Sequence, residues 1–111
     1  MFRIWTERAI PVAIQPMFKD VTPLGPGAAT PEDPLSVLAD AQGAIAGGIT
    51  RYDAAFMDRA PCLRVIARTG IGIDNVDVPA ATTRSVAVCN TPDGPTISTA
   101  EHTITLMMNV A

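Results

Sequence analysis

The sequence predicts an α/β fold, a flavodoxin-like parallel sheet with helices on both faces. Three observations predict it. Short, uniformly apolar strand candidates alternate with helix candidates along the chain. Turn-forming residues close the strands, as at Arg68-Thr69-Gly70 and Asn90-Thr91-Pro92. No internal repeat or low-complexity run interrupts the alternation, and with 48% hydrophobic and 17% charged residues the chain can bury a core.

Phe2 to Trp5 reads as the first strand. Pro11 to Phe18 is apolar, but Pro11 and Pro16 restrict any helix there to a short or broken one. Val21 to Pro34 contains Pro23, Pro26, Pro31 and Pro34 and reads as a loop. Pro31-Glu32-Asp33-Pro34 then opens a helix through Leu35, Val37 and Leu38, with proline and acids in the first turn. Ala44 to Ile49 is a buried strand, and Tyr52 to Ala60 a short helix that turns Phe56 and Met57 inward. Leu63 to Ala67 is the clearest strand. Val76 to Arg84 is a helix with Asp77 as its cap and Pro79 in its first turn. Val86 to Cys89 makes a further strand, for four or five in all. Ser98-Thr99-Ala100-Glu101 fits a capping box for a last helix, increasingly apolar through Ile104, Leu106, Met107, Met108 and Val110. That helix meets no closing Gly, Lys or Arg and reads as cut rather than finished.

At 111 residues the chain is one domain or part of one. Its mean hydropathy of +0.26 is high for a small unit and points to apolar surface awaiting a partner. A formal charge of -3 with scattered basic residues excludes a phosphate-backbone binder, so nucleic acid is not the target. The charged start, Met1-Phe2-Arg3-Ile4-Trp5-Thr6-Glu7-Arg8, is no signal peptide, and no apolar run spans a membrane. The chain reads as cytoplasmic. Cys62 and Cys89 lack a CxxC pattern or a nearby His, so no metal site is expected and both read as reduced, buried thiols.

The block that carries chemistry is Leu63 to Glu101. A strand runs into Gly70-Ile71-Gly72-Ile73-Asp74-Asn75 and then a helix, which places bare amides at the carboxyl end of a parallel strand, where open α/β sheets bind ligands. Gly70 and Gly72 permit close approach, and successive N–H groups of such a turn can hold a carboxylate. A tight turn that binds nothing is the competing reading. Arg68 is either a structural ion pair or a rim contact to an anionic substrate. The glycines also imitate a dinucleotide fingerprint, with Asp93 near the spacing of a ribose-binding acid. Asn75 at the third glycine position, the short helix and Asp93 lying past the strand end reject that reading. His102, without a partner carboxylate, is structural, and the Met107-Met108 pair belongs to a core or interface.

Leu63-Arg64-Val65-Ile66-Ala67-Arg68-Thr69-Gly70-Ile71-Gly72-Ile73-Asp74-Asn75-Val76-Asp77, followed by Ala80-Ala81-Thr82, Val86 to Pro92 and Ala100-Glu101-His102-Thr103, resembles the D-isomer-specific 2-hydroxyacid dehydrogenases, and among them phosphoglycerate dehydrogenase-like members. The likeness is specific from Leu63 to Met108, weaker from Leu35 to Ala60 and poor before that. It implies that residues 1–94 are part of a substrate domain and residues 95–111 the start of a helix crossing to an NAD-binding domain. It implies hydride transfer between NAD and a small D-2-hydroxy or 2-oxo acid, in a protein that is a homodimer at full length. The substrate-binding residues would be Gly70, Ile71, Gly72 and Arg68, with the Ile71 and Gly72 amides on the carboxylate. Asp74 and Asn75 would fix the loop, Thr99 would lie beside the nicotinamide, and Glu101 would cap its helix. The family's catalytic His, Glu and Arg fall in later sequence, so no residue of this chain is catalytic and the chain alone is inactive. Two positions depart from the pattern. Gly47 stands where several phosphoglycerate dehydrogenases carry an arginine for the substrate phosphate, and Pro95 where members often have an asparagine. A noncatalytic carboxylate-binding or dimerisation module of the same fold is the alternative. A receiver domain would need an acidic cluster that Asp74 alone does not supply.

Overall fold

The computed structural model describes residues 1–25 and 35–110. Five strands form one parallel sheet: β1 Phe2–Thr6, β2 Val21–Leu24, β3 Gly43–Ala46, β4 Val65–Arg68 and β5 Ala87–Cys89. Their order is β2-β1-β3-β4-β5, the flavodoxin-like order expected for an open α/β sheet. The central register runs Ile4 to Gly43 and Gly43 to Val65, so β1, β3 and β4 end side by side at one edge. Three α-helices are present among the described residues: α1 Ala54–Asp58, α2 Val78–Thr83 and α3 Thr96–Val110.

Trp5, Tyr52, Leu38 and Ile66 are the largest side chains fully removed from water. Trp5, Tyr52 and Phe56 meet edge to face with ring centroids 4.8 to 6.3 Å apart, the geometry their quadrupoles favour. Phe56 and Met57 turn inward on α1 as the sequence predicts. The Asp53 carboxylate accepts from the Phe56 N–H and starts α1. Asp77 does the same for α2 through the Ala80 N–H, 2.9 Å away, with Pro79 in the first turn.

Several expectations are corrected. The proline-rich loop contains β2, because Pro23 lies on the sheet's edge strand, where a missing N–H removes no central ladder bond. Pro11 to Phe18 forms a 3₁₀ segment, Val12–Phe18, with Pro16 inside it. The helix expected through Leu35 and Leu38 is a turn followed by a single 3₁₀ turn, Leu38–Asp40, while its opening residues 31–34 lie outside the described residues. The strand expected to reach Ile49 stops at Ala46. Cys62 and Cys89 are exposed, because one sits in the turn after α1 and the other ends an edge strand. Helix α3 begins at Thr96, two residues before the expected cap. Ser98 therefore lies inside the first turn, its hydroxyl donating to the Pro95 carbonyl, and the capping box of Ser98 with Glu101 does not form. None of the described α3 side chains is buried, and Ile104, Leu106, Met107 and Met108 are more than half exposed.

Candidate functional site

The carboxyl ends of β1, β3 and β4 carry three loops, and the sequence makes each of them tight. After β4 the chain crosses Gly70 to Asn75 before α2. The Thr69 N–H reaches the Ala46 carbonyl at 3.0 Å, which ties the start of this loop to the end of β3. On its far side the Gly70 carbonyl accepts from the Thr91 N–H, and the Ile71 carbonyl accepts from the Asn90 side chain at 2.9 Å. Both carbonyls are thus taken up by the segment after β5. The Ile71 and Gly72 N–H groups donate to no carbonyl of the described backbone, and both residues are exposed. Successive amides of this kind form a concave donor surface suited to a carboxylate.

Asn75 holds the loop in place. Its amide donates to the carbonyls of Gly47 and Thr50, each at 3.0 Å, and its oxygen accepts from the Arg68 Nε at 3.0 Å. The Tyr52 N–H to Asn75 carbonyl bond and the Asp77 N–H to Tyr52 carbonyl bond add a short parallel bridge beside it. Asn75 therefore fastens the loop after β4 to the loop after β3. Asp74 is exposed, with a carboxylate oxygen 3.0 Å from where a Gly72 Cβ would stand.

Arg68 is half-buried, and its partner is the Asn75 amide rather than a carboxylate. Its guanidinium lies over the two glycine loops: added Cβ atoms at Gly48 and Gly70 would stand 3.7 and 3.2 Å from its terminal nitrogens. This leaves the fork of a fixed cation beside the Gly70–Gly72 amides, an arrangement that can grip a carboxylate from two directions.

Sequence reasoning missed Glu7 and Tyr52. Glu7 follows β1, and its carboxylate accepts from the Gly47 N–H at 2.9 Å, the Ile49 N–H at 2.8 Å and the Tyr52 hydroxyl at 2.5 Å. Burial pushes the Glu7 carboxyl up, but hydrogen bonds from Tyr52 and from the Ile49, Thr50 and Gly47 amides outweigh it, so its pKa lies below the usual carboxylate value. Burial pushes the Tyr52 hydroxyl up, and the bond to Glu7 and its negative charge push it further. A Cβ at Gly47 would stand 2.6 Å from a Glu7 carboxylate oxygen, so any side chain there would push the carboxylate out of its hydrogen bonds. The signal was the Gly47-Gly48 pair directly after a strand, with an acid just past the neighbouring strand.

An apolar cleft of about 280 Å³ opens beside these loops, lined by Ile10, Ile14, Ile45, Gly47 and Thr69 among others. Thr69 joins it to the amide loop. Thr99, in contrast, lies exposed on α3, its carbonyl accepting from the Thr103 hydroxyl. The described residues do not make a dinucleotide cradle. The Ala80 amide at the start of α2 is already bonded to Asp77, and the Asn75 side chain is fully committed where a third glycine would be needed. Among the described residues no group of His, Cys, Asp and Glu side chains is placed to hold a metal, and no helix is long and apolar enough to cross a membrane.

A parallel sheet of order β2-β1-β3-β4-β5 with glycine loops at its carboxyl edge defines an open α/β domain of the flavodoxin-like kind. Residues 7–106 match the model of the D-isomer specific 2-hydroxyacid dehydrogenase catalytic domain, and the chain belongs to that family. A D-3-phosphoglycerate dehydrogenase of Archaeoglobus fulgidus is 50% identical over 62 residues, which cover 56% of this chain and 12% of that protein. A crystal structure of a Thermus thermophilus protein superposes with a TM-score of 0.88 at 32% identity, covering 99% of this chain and 37% of that one. The fold is shared as well with the D-lactate dehydrogenase of Aquifex aeolicus, solved with NAD and lactic acid, at a TM-score of 0.75 and 17% identity, covering 96% of this chain and 32% of that one. This chain thus spans well under half the length of the relatives it matches.

Proposed function

We propose that this chain supplies the substrate-binding side of an NAD-dependent D-2-hydroxyacid dehydrogenase. Residues 1–94 form part of the substrate domain, and residues 95–111 begin the helix that crosses to the NAD-binding domain. The reaction is the reversible oxidation of a D-2-hydroxy acid to the 2-oxo acid, and the nicotinamide supplies the hydride chemistry when bound. The single observation that carries this reading is the pair of Ile71 and Gly72 amides with no backbone acceptor, at the carboxyl end of β4.

In this reading the two N–H groups hold the substrate carboxylate, Gly70 lets the chain turn, and Arg68 adds a charged contact from across the loop. Thr99 packs beside the nicotinamide in the assembled enzyme. The proton transfers belong to groups outside this chain: His102, its one histidine, is exposed on α3. The chain by itself therefore neither binds NAD tightly nor turns over. The complete enzyme is a cytoplasmic homodimer that binds no nucleic acid and no membrane.

The test is amide NMR on the purified chain titrated with pyruvate, alongside NADH absorbance in the same mixture. The expected result is shifts centred on Ile71 and Gly72 with constant absorbance. Unmoved resonances at those two amides overturn the carboxylate site, and turnover by this chain alone overturns the placement of the catalytic groups elsewhere.

A further inference from the structure

Beyond the carboxylate contact, which rests on the proposed function, the structure describes what lies around the rest of the substrate. Three features converge at the carboxyl ends of β1 and β3. The cleft of about 280 Å³ adjoins the amide loop at Thr69, and its walls are aliphatic: Ala9, Ile10, Ile14 and Ile45. The Glu7 carboxylate stands against Gly47, a lining residue of the same cleft, and its hydrogen bonds keep it ionised and immobile. A side chain at Gly47, cationic or otherwise, would have to displace the carboxylate from its hydrogen bonds, because its Cβ would stand 2.6 Å from a Glu7 oxygen. Arg8 is the one cation on this lining, and it is exposed, where water and salt screen it.

We infer that the site selects 2-hydroxy and 2-oxo acids whose remaining group is uncharged and aliphatic, and that Glu7 excludes acids carrying a second anionic group such as a phosphate. The carboxylate sits on the Ile71 and Gly72 amides near Arg68, and the chain beyond C2 runs past Thr69 into the cleft. A phosphate there would bring up to two negative charges toward a fixed carboxylate, and the immobilised cation nearby, Arg68, stands on the amide side, where the substrate's own carboxylate engages it. An aliphatic tail meets walls of its own kind and displaces water from them. Glu7 is a positioning residue as well as a selective one, because it also sets the loop after β3.

The experiment is an amide NMR titration of the chain with four probes: pyruvate, 2-oxobutyrate, 4-methyl-2-oxopentanoate and 3-phosphohydroxypyruvate. Each buried methylene should tighten binding by about fourfold until the cleft is filled, with shifts spreading from Ile71 and Gly72 to Ile10 and Ile45. The phosphorylated acid should bind at least roughly tenfold more weakly than 4-methyl-2-oxopentanoate. In E7Q the phosphorylated acid should gain several-fold relative to pyruvate. Should E7Q fail to fold, A9F provides the second test, since a ring in the cleft should abolish the dependence on chain length. If pyruvate leaves Ile71 and Gly72 unmoved, the carboxylate site itself is wrong and this inference falls with it. If pyruvate shifts them while affinity ignores chain length, or the phosphorylated acid binds as tightly as the aliphatic one, the tail assignment alone is overturned.

Discussion

Replacing Gly47 with alanine probes the loop geometry most directly, because its effect should change sign with the residue at position 7. The added Cβ would stand 2.6 Å from one Glu7 oxygen, 2.8 Å from Cδ and 3.1 Å from the other oxygen. To reach ordinary contact at 3.4 Å the carboxylate must retreat by about 0.8 Å. A free side-chain end would do so easily, but this one is held by the Gly47 and Ile49 amides and the Tyr52 hydroxyl. Stretching bonds of 2.8 to 2.9 Å by that amount carries them past hydrogen-bond range. Two or three charge-assisted bonds at a half-buried site, worth about 1 kcal/mol each, give a loss of about 2 to 3 kcal/mol. In an E7A background the obstruction is gone. Gly47 does not have a positive φ, since Gly25 is the glycine that does among the described residues. Alanine should then stabilise by about 0.4 to 1 kcal/mol through the unfolded chain. Urea unfolding of the four proteins of this cycle measures the coupling, expected near 3 kcal/mol with unchanged m-values. Equal effects of G47A in both backgrounds would refute the claim that Glu7 dictates glycine at this position.

Three further outcomes follow from the same geometry. N75A removes bonds to two carbonyls and to Arg68 and should lower stability by about 2 to 3 kcal/mol in urea unfolding; N75D, which keeps the acceptor for Arg68 but turns an acceptor oxygen toward the Gly47 and Thr50 carbonyls, should not restore it. Because the folded-state pKa of Glu7 lies below its ordinary 4.5, the stabilisation it gives is complete above that value and is lost as pH falls through the folded pKa; E7Q should lack this acid-side loss, and parallel slopes of stability against pH below 4.5 for both proteins would contradict it. Deleting α3 after Gly94 should change stability by less than about 0.5 kcal/mol, since no described side chain of α3 is buried, and a larger fall in urea midpoint would mean that α3 supports the sheet.

The sheet was legible in the sequence wherever the signal was local. Apolar strands and side-chain caps such as Asp77 depend on neighbours a few residues away; Asp77 stands where the pattern puts it, and the strand expected over Leu63 to Ala67 lies slightly later, at Val65–Arg68, with Ile66 buried. β2 was hidden because its proline argues against a strand unless its position at the sheet edge is already known, and edge position is a property of the whole order. The false capping box has a similar origin. Ser98 and Glu101 have the right spacing, but Thr96 and Pro95 start the helix earlier, so the pattern falls inside the first turn. Cys62 and Cys89 were misplaced because residue type reports average burial, while a turn and an edge strand decide it here.

The glycines of the candidate site separate into two kinds that sequence cannot tell apart. Gly70 and Gly72 follow a strand and precede a helix, so their local pattern already suggests exposed amides at the sheet's carboxyl edge. Gly47 looks the same locally, yet its cause lies 40 residues away in a carboxylate. The difference has a chemical consequence. At Gly70–Gly72 the Ile71 and Gly72 amides donate to no backbone carbonyl, whereas at Gly47 the Glu7 carboxylate accepts from the Gly47 and Ile49 amides of its loop. One loop therefore keeps amides without a backbone acceptor, and the amides of the adjacent loop are already taken. In the function proposed above, that asymmetry orients the ligand: the acid group settles on the β4 side, which leaves the aliphatic cleft on the β1 and β3 side for whatever the acid carries.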